Sequence, residues 1–472
     1  MNDTVFDDPL ETVLDLIEQT RYEDLPASAV EAATVFFLDT VGVACAGKLA
    51  PKLDALVATA TRWGAPGEDG ASLWNTGTRA PAPVAAMVNG YQCHALEYDC
   101  VYEPGVILPT PPIFAALMAK VDELDARGCS PDGPALIRAF VVALEVSCTL
   151  AGAARNAMFF FRPATTGVFS ALAALACLDP LPRDQLRQAF GIGYSQMCGP
   201  MQAHEEGSMM LAMQMGFAAR NAVLAHDMAR AGITAPVQLL GGRFGFFTNF
   251  EHDHDLPAAL DAMGAPWKVT QLSHKPFPSG RVTHGVIHTM RRLRQELGLD
   301  ARNALDRIAG IEVTLPPLGM RLVGRPMAHH PAPNYARLCI PFVAAAEVVL
   351  GSVDPTTFRP EGLNDPTVEA LALRVRTGEQ PHPNPNAFYP QTLVLELAGG
   401  ERIRCEIPHA WGHPLMPLSA QEREDKFRLC WHLTRPCDAQ QESRMEGMLD
   451  WLRQLPAARD AAPLVALLAS PD

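Results

Sequence analysis

Apolar residues recur at helical spacing through most of the first two-thirds of this 472-residue chain. At the start, Leu10, Val13, Leu14 and Ile17 mark one face of a helix with a period of 3.6 residues. The same signal predicts helices over residues 10–20, 29–46, 83–96, 111–127, 134–151, 166–176, 183–196 and 208–230. Several of these segments are apolar on most faces, which is typical of helices buried inside a large bundle.

The pattern changes after about residue 267, where β-branched residues become frequent. Residues 308–315 and 368–376 predict strands, and residues 392–397 and 401–407 alternate around a Gly-Gly loop as in a β-hairpin. Helices are predicted at 282–293, 339–350, 420–433 and 438–455. The predicted fold class is therefore mainly α with an inserted α+β domain. Residues 1–268 and 406–472 would form the large helical domain, and residues 269–405 the smaller lid-like one.

Composition narrows the possible partners. The formal net charge is −14, and binding to nucleic acid requires a cationic face, so we expect no nucleic-acid partner. No stretch has about 18–20 uninterrupted apolar residues, and the acidic start (residues 1–8) is unlike a secretory signal. We therefore expect a cytoplasmic protein with no membrane partner. The eleven cysteines include no C-x-x-C pair, which favours reduced thiols and no bound metal.

Several short segments, in this order along the chain, resemble the MmgE/PrpD family. They are Arg21-Tyr22-Glu23-Asp24-Leu25-Pro26, Phe37-Leu38-Asp39-Thr40-Val41-Gly42, Ala86-Met87-Val88-Asn89-Gly90, His94-Ala95-Leu96-Glu97-Tyr98-Asp99, Thr166-Gly167-Val168-Phe169, Gly216-Phe217-Ala218-Ala219-Arg220 and Lys275-Pro276-Phe277-Pro278 with His284. The ordered set spans nearly the whole chain.

This resemblance implies a helical domain with a smaller lid-like domain, a homodimer, and catalysis without metal or organic cofactor. It also implies a small-molecule carboxylate as substrate, and proton chemistry at a carbon next to that carboxylate. Such chemistry requires a base placed over the C–H bond, and cations or hydrogen-bond donors where negative charge develops. Side chains of these types must therefore converge on one cleft.

The junction between the two predicted domains carries the first group of candidates. Lys275 precedes Pro276 and Pro278, which stiffen the backbone, and the resemblance places the family's active-site lysine here. His284 begins an apparent helix, a position that suits anion binding, and Arg281 lies one turn away as a candidate carboxylate clamp.

A second cluster contains His94, Glu97 and Asp99, of which residues 94 and 97 share one helix face. In the family, acidic residues of this element face the pocket. Glu97 stands where an Asp is usual, and Asp99 fits directly. His204, which precedes a methionine-rich helix, is a third and more local candidate for substrate binding.

Several ionisable groups of the family pattern are replaced in this chain. Apolar residues stand at Val101, Ile107, Phe161, Leu211 and Leu322, and either Phe161 or Arg162 takes a position usually held by His. We expect Ile107, Phe161, Arg162 and Leu211 to contact the substrate. A pocket altered in this way favours a less charged, bulkier or more apolar substrate.

The sequence therefore predicts a lyase that removes an α-proton, with dehydration and decarboxylation both open. Either His284 or Asp99 would be the base, with Glu97 beside it, and Lys275 with Arg281 or Arg162 would hold the carboxylate. His94 and His204 would complete the substrate site. An epimerase on the same scaffold, a ligand-binding relative without activity and a metal hydrolase are the alternatives.

Overall fold

The computed structural model describes residues 8–68 and 70–471, so most of the acidic N-terminal segment lies outside the described residues. Two large hydrophobic cores and one small cluster, which includes Leu96 and Tyr98, organise these ranges. The larger core is helical, and the smaller one combines helices with a four-stranded sheet. The predicted class, mainly α with a smaller α+β part, is confirmed.

The first part of the chain forms the helical core. Its elements are α1 (Pro9–Gln19), α2 (Ala27–Ala46), α3 (Leu53–Ala60), the hairpin β1 (Ala71–Leu73) and β2 (Thr78–Ala80), α4 (Ala82–His94), α5 (Thr110–Ala126), α6 (Gly133–Gly152), α7 (Arg162–Leu178), α8 (Arg183–Ser195), α9 (Gln202–Glu205), α10 (Met210–Arg230), α11 (Phe246–Phe250) and α12 (Leu256–Asp261). Prolines lie in the first turn of α4, α5, α6 and α7, where a missing N–H costs no helical hydrogen bond.

The second part forms the smaller core. Its elements are α13 (His284–Leu297), α14 (Ala304–Arg307), β3 (Ile308–Leu315), α15 (Pro317–Val323), α16 (Pro333–Ala336), α17 (Ile340–Val349), α18 (Pro360–Leu363), α19 (Pro366–Ala372), β4 (Val375–Glu379), β5 (Gln391–Leu397) and β6 (Arg402–Ile407). The strand order is β4-β3-β5-β6, with β3 and β4 parallel and the other pairs antiparallel. The predicted hairpin is β5–β6, in which Leu395 lies opposite Ile403.

The chain then returns to the helical core through α20 (Ala420–His432), α21 (Ala439–Arg453) and α22 (Ala462–Ala469). Phe427 and Trp431 of α20 are buried in that core beside residues from the start of the chain. The domain boundaries at 268/269 and 405/406 stay predictions.

One predicted strand is wrong over most of its length. Residues 366–372 form helix α19, and the strand covers only Val375–Glu379. Asp365 caps the helix by accepting hydrogen bonds from the backbone N–H groups of Thr367 and Val368, and Pro366 follows it. This N-terminal capping outweighs the β preference of the neighbouring residues.

Two helices have the length and mean hydropathy of a membrane span, although polar residues interrupt both. They cover Ala27–Leu49 and Gly133–Gly152, and 72% and 83% of their most apolar windows are buried inside the protein. Core helices of soluble proteins pass the same test, so the expectation of no membrane partner stays a prediction.

Helices α4 and α10 cross with almost no space between their backbones. A Cβ atom on Gly216 would lie 2.1 Å from the carbonyl oxygen of Met87, and one on Gly90 would lie 2.8 Å from Cα of Gly216. This contact matters for the site because α4 ends at His94 and α10 begins beside Leu211.

We therefore expect Gly216→Ala to lower the free energy of unfolding by about 1–3 kcal/mol or more, because the new methyl group forces the helices apart. Gly447→Ala is the matched control: Gly447 lies inside α21, and its Cβ would meet nothing within 4 Å. That substitution should stabilise the protein by about 0.5–1 kcal/mol. Urea unfolding of both variants measures the difference, and equal midpoints would contradict the close crossing.

Candidate functional site

A small cavity of about 70 Å³ lies within the smaller core, where side chains from the first part of the chain, such as Phe161 and Leu211, pack against the second part. Four polar or charged residues line it: Glu97, His204, Lys275 and Arg281. The remaining wall is apolar apart from the Gly280 backbone, and comprises Val101, Val106, Leu108, Met158, Phe161, Pro163, Leu211, Val282, Leu322, Val323, Leu338 and Phe388. The cavity therefore combines a few convergent polar groups with an apolar lining, as ligand sites usually do.

Lys275 reaches the cavity from a loop that is fixed at several points. The backbones of Ser273 and Val101 exchange two hydrogen bonds of 2.7 and 2.9 Å, and the N–H of His274 donates to the carbonyl of Gly412. The Lys275 side chain is fully buried. Its Nζ lies 2.8 Å from Oε2 of Glu97, so the predicted lysine and the predicted acidic cluster are in direct contact.

Glu97 lies in a tight turn just after α4 and has a left-handed backbone conformation, with φ of +53°. Such a conformation is strained for a residue with a side chain, and it persists only where the surroundings fix it. Here the Glu97 N–H donates to the carbonyl of His94, and Lys275 Nζ donates to the Glu97 carbonyl at 3.2 Å. The turn directs the Glu97 carboxylate toward Lys275.

His94 connects the two acidic side chains. Its Nδ1 lies 2.9 and 3.1 Å from the carboxylate oxygens of Asp99, and its Nε2 lies 3.3 Å from Oε1 of Glu97. Asp99 is fully buried and lies 4.0 Å from Lys275 Nζ. His94 and Asp99 therefore contact the Glu97–Lys275 pair but do not line the cavity.

These contacts determine the protonation of the cluster. Burial alone would lower the pKa of His94, but the charges of Asp99 and Glu97 outweigh it and raise the pKa to about 10. Burial would raise the pKa of Glu97, yet Lys275 and His94 hold it well below its usual range. At neutral pH His94 is therefore a cation and Glu97 a carboxylate.

His204 lines the cavity from α9 and is 5% exposed. Burial and the nearby charges of Arg325 and Arg321 lower its pKa to about 4. It therefore faces the cavity as a neutral imidazole, with a lone pair available on one ring nitrogen.

Arg281 and His284 are held by the protein itself. The Nε of Arg281 donates to Glu103 at 2.7 Å, and its Nη1 donates to the carbonyl of Trp411 at 2.8 Å. His284 is fully buried outside the cavity lining, with Nε2 3.2 Å from the carbonyl of Ser279 and Nδ1 3.5 Å from Arg281. Burial and the Arg281 charge hold the pKa of His284 well below its usual range.

The four remaining candidates divide into two pairs. Phe161 and Leu211 line the cavity, whereas Arg162 and Ile107 are not among the lining residues. The guanidinium of Arg162 makes two hydrogen bonds to Glu251, of 2.6 and 2.9 Å, and this pairing occupies the group. Ile107 is buried in the helical core.

Sequence reasoning missed the part of the wall that comes from the smaller core, including Val323, Leu338 and Phe388. Isolated apolar residues in loops and short helices carry no local signal of a pocket. It also missed Arg337, a buried arginine that donates to the carbonyl of Leu96, the residue before Glu97. A charged residue next to the apolar run from Leu338 was the available signal.

A larger groove, of about 750 Å³, lies on the helical surface between the α1–α2 connection and helices α20 and α21. It contains none of the candidate residues, and Arg453 in its wall is already paired with Glu424 at 2.8 Å. The buried cavity is therefore the better candidate site, despite its smaller size.

Several known proteins are similar to this chain over most of its length. Cis-aconitate decarboxylase of Mus musculus is 26% identical over 420 residues, which cover 84% of this chain and 80% of that protein. The human cis-aconitate decarboxylase is 26% identical over 407 residues, covering 84% and 81%. Cis-aconitate decarboxylase of Aspergillus terreus is 23% identical over 466 residues, covering 95% and 93%.

Two family models match most of the chain. Residues 11–259 match the MmgE/PrpD N-terminal domain, and residues 277–450 match the MmgE/PrpD C-terminal domain. The first match contains Glu97 and His204, and the second begins two residues after Lys275, so the cavity lies where the two matched regions meet. The chain therefore belongs to the MmgE/PrpD family.

Proposed function

We propose that this protein is a lyase that removes or adds a proton at a carbon next to a carboxylate, without a cofactor. One observation carries the proposal: the buried Nζ of Lys275 and the Glu97 carboxylate, from segments 178 residues apart, meet at 2.8 Å at one cavity. Family membership and the decarboxylase relatives support the lyase class. Dehydration and decarboxylation are both compatible with the residues present.

Lys275 is the group best placed to hold and polarise a substrate carboxylate. A buried ammonium interacts strongly with an anion because little water screens the charges. Glu97 occupies it in the resting protein, and an incoming carboxylate would share or replace that contact. The Lys275 ammonium would then stabilise the negative charge that develops on the substrate during the reaction.

His204 is the base that the geometry favours, because it is neutral and lines the cavity. An anionic substrate would offset the charges of Arg325 and Arg321 and raise the pKa of His204 toward the range useful for proton transfer. Asp99 acts behind Lys275, at 4.0 Å from its Nζ. A catalytic role for His284 stays a prediction from the resemblance, since His284 is not among the residues that line the cavity.

The apolar wall bears on the choice of substrate. Phe161, Leu211 and Leu322, at which the chain departs from the family pattern, all line the cavity. A second or third carboxylate against this wall would lose its hydration without gaining a partner. We therefore propose a substrate less charged and more apolar than a tricarboxylate.

The cavity is small in this structure. Its volume of about 70 Å³ is well below the roughly 300–1000 Å³ of typical small-molecule sites. Contacts between Glu97 and Lys275 and between Glu103 and Arg281 join the walls. Substrate entry therefore requires these loops to separate, and closure around the substrate would exclude water from the reaction.

An epimerase is the second candidate. Inverting a carbon centre needs an acid and a base on opposite sides, and His204 and Lys275 approach the cavity from different segments. Solvent deuterium would then enter the substrate with inversion, and no carbon dioxide or water would be released. We also propose, on the family resemblance, that the protein is a cytoplasmic homodimer.

Incubation in heavy water with substituted citrates, aconitates, branched monocarboxylates and keto-diacids tests the function. We expect deuterium uptake, carbon dioxide release or water loss with at least one compound, and about a 10²–10³-fold lower rate in Lys275→Met. Lys268→Met is the matched control, because Lys268 is also a buried lysine paired with a glutamate, 2.6 Å from Oε1 of Glu145. It does not line the cavity, and its rate per folded molecule should stay close to wild type.

Loss of activity in both lysine variants would mean that any broken buried ion pair disables the protein. Absence of reaction with every compound, together with clear binding of one, would instead identify a ligand-binding relative without activity.

The charge on His94 predicts a pH dependence of stability. Because its folded pKa of about 10 lies above the unfolded value near 6.5, its contribution is complete below that unfolded value and is lost as the pH rises through 10. The free energy of unfolding of wild type should exceed that of His94→Gln most at pH 6, and the difference should shrink toward pH 10. Urea unfolding at successive pH values measures it, and a constant difference would rule out a buried imidazolium.

A further inference from the structure

Arg337 is a buried cation close to the site but absent from the cavity lining. Its side chain is 3% exposed, and its guanidinium carbon lies 4.1 Å from the centre of the Phe358 ring. Within residues 8–68 and 70–471, no carboxylate lies within ion-pairing distance of it, and its Nε has no hydrogen-bond partner. Burial lowers its pKa to about 9, while the charge of Glu97 acts in the opposite direction. Burying a charge without a paired anion is costly, so other contacts must compensate for the lost hydration of Arg337.

Hydrogen bonds from Arg337 to two backbone carbonyls provide this compensation. Its Nη1 donates one hydrogen to the carbonyl of Leu96 at 3.0 Å and the other to the carbonyl of Pro278 at 2.9 Å. Leu96 immediately precedes Glu97, and Pro278 follows Lys275 by three residues. One nitrogen atom thus joins the two chain segments that carry the central ion pair.

The same segment is also held through the Arg337 backbone, whose carbonyl accepts the N–H of Gly280 at 2.9 Å. Two cations also hold the strained turn at Glu97, each by a hydrogen bond to a backbone carbonyl of the turn. Arg337 donates to the carbonyl before Glu97, and Lys275 donates to the carbonyl of Glu97 itself. A positive φ persists only under such constraint.

We propose that Arg337 is a positioning residue that holds Glu97 against His94 and Lys275 by bridging the carbonyls of Leu96 and Pro278. It acts through these groups and does not touch the substrate. Its importance for catalysis rests on the proposed function, whereas its effect on the geometry of the resting protein does not.

The pKa of His94 reports this geometry without any substrate. If Arg337→Met releases Glu97, the imidazolium loses a nearby carboxylate and its pKa falls by about one unit or more. Removing the Arg337 charge alone would act in the opposite direction and raise the pKa of His94. The sign of the shift therefore separates positioning from a simple charge effect.

The experiment is an NMR titration of histidine-labelled protein, with the His94 signal assigned by its loss in His94→Gln. Arg435→Met is the matched control, because Arg435 is 5% exposed, lies 4.4 Å from the Trp431 ring and has an unpartnered Nε. It donates to neither the Leu96 nor the Pro278 carbonyl, so its removal should leave the pKa of His94 unchanged. If Arg337→Met does not fold, Arg337→Gln keeps N–H donors on a shorter, neutral side chain and should give a smaller fall.

A fall in Arg337→Met but not in Arg435→Met supports the proposal. An unchanged or raised pKa overturns it, as would an equal fall in both variants, which would reflect general loosening. The carboxylate panel described above is a separate measurement: failure there with the expected His94 shift would reject the proposed lyase activity and leave the positioning role standing.

Discussion

The ion pair between Lys275 and Glu97 is the contact on which the site depends. Neither charge could remain buried alone, because an unpaired ion in the interior loses its hydration without compensation. Pairing lets the lysine be fully buried beside the cavity, 2.8 Å from the carboxylate of Glu97, which lies just after helix α4. The strained turn at Glu97, the charge on His94 and the buried guanidinium of Arg337 all follow as parts of the same arrangement.

The balance of charge and apolar surface gives the site its chemical character. His94 and Lys275 pair with Glu97 and Asp99 at one end of the cavity, whereas Arg325 and Arg321 add positive charge near His204. The remaining wall is formed by aliphatic and aromatic side chains. This lining is the basis of the proposed substrate, with one carboxylate near Lys275 and an apolar part against the wall.

Much of the fold was predictable because helical spacing and proline or glycine punctuation act locally. The helices of the first part and the β5–β6 hairpin follow from such signals, whereas Val368 was misread because capping by Asp365 decided a short segment. The contact between His94 and Glu97 could be anticipated because the two residues are three positions apart in the sequence. The Lys275–Glu97 contact spans 178 residues and could be anticipated only from the family resemblance. The wall residues Val323, Leu338 and Phe388 had no local pattern, and the place of Arg337 before an apolar run did not show that tertiary packing brings it to the site.

A double-mutant cycle between Lys275 and Glu97 tests the central contact most directly. The free energies of unfolding of wild type, Lys275→Met, Glu97→Gln and the double variant are measured under the same conditions. The account predicts that each single change is costly, and that the double variant recovers a coupling energy of about 1.5–3 kcal/mol. Additive effects, within about 0.5 kcal/mol, would show that the two side chains do not meet in solution and would contradict the account.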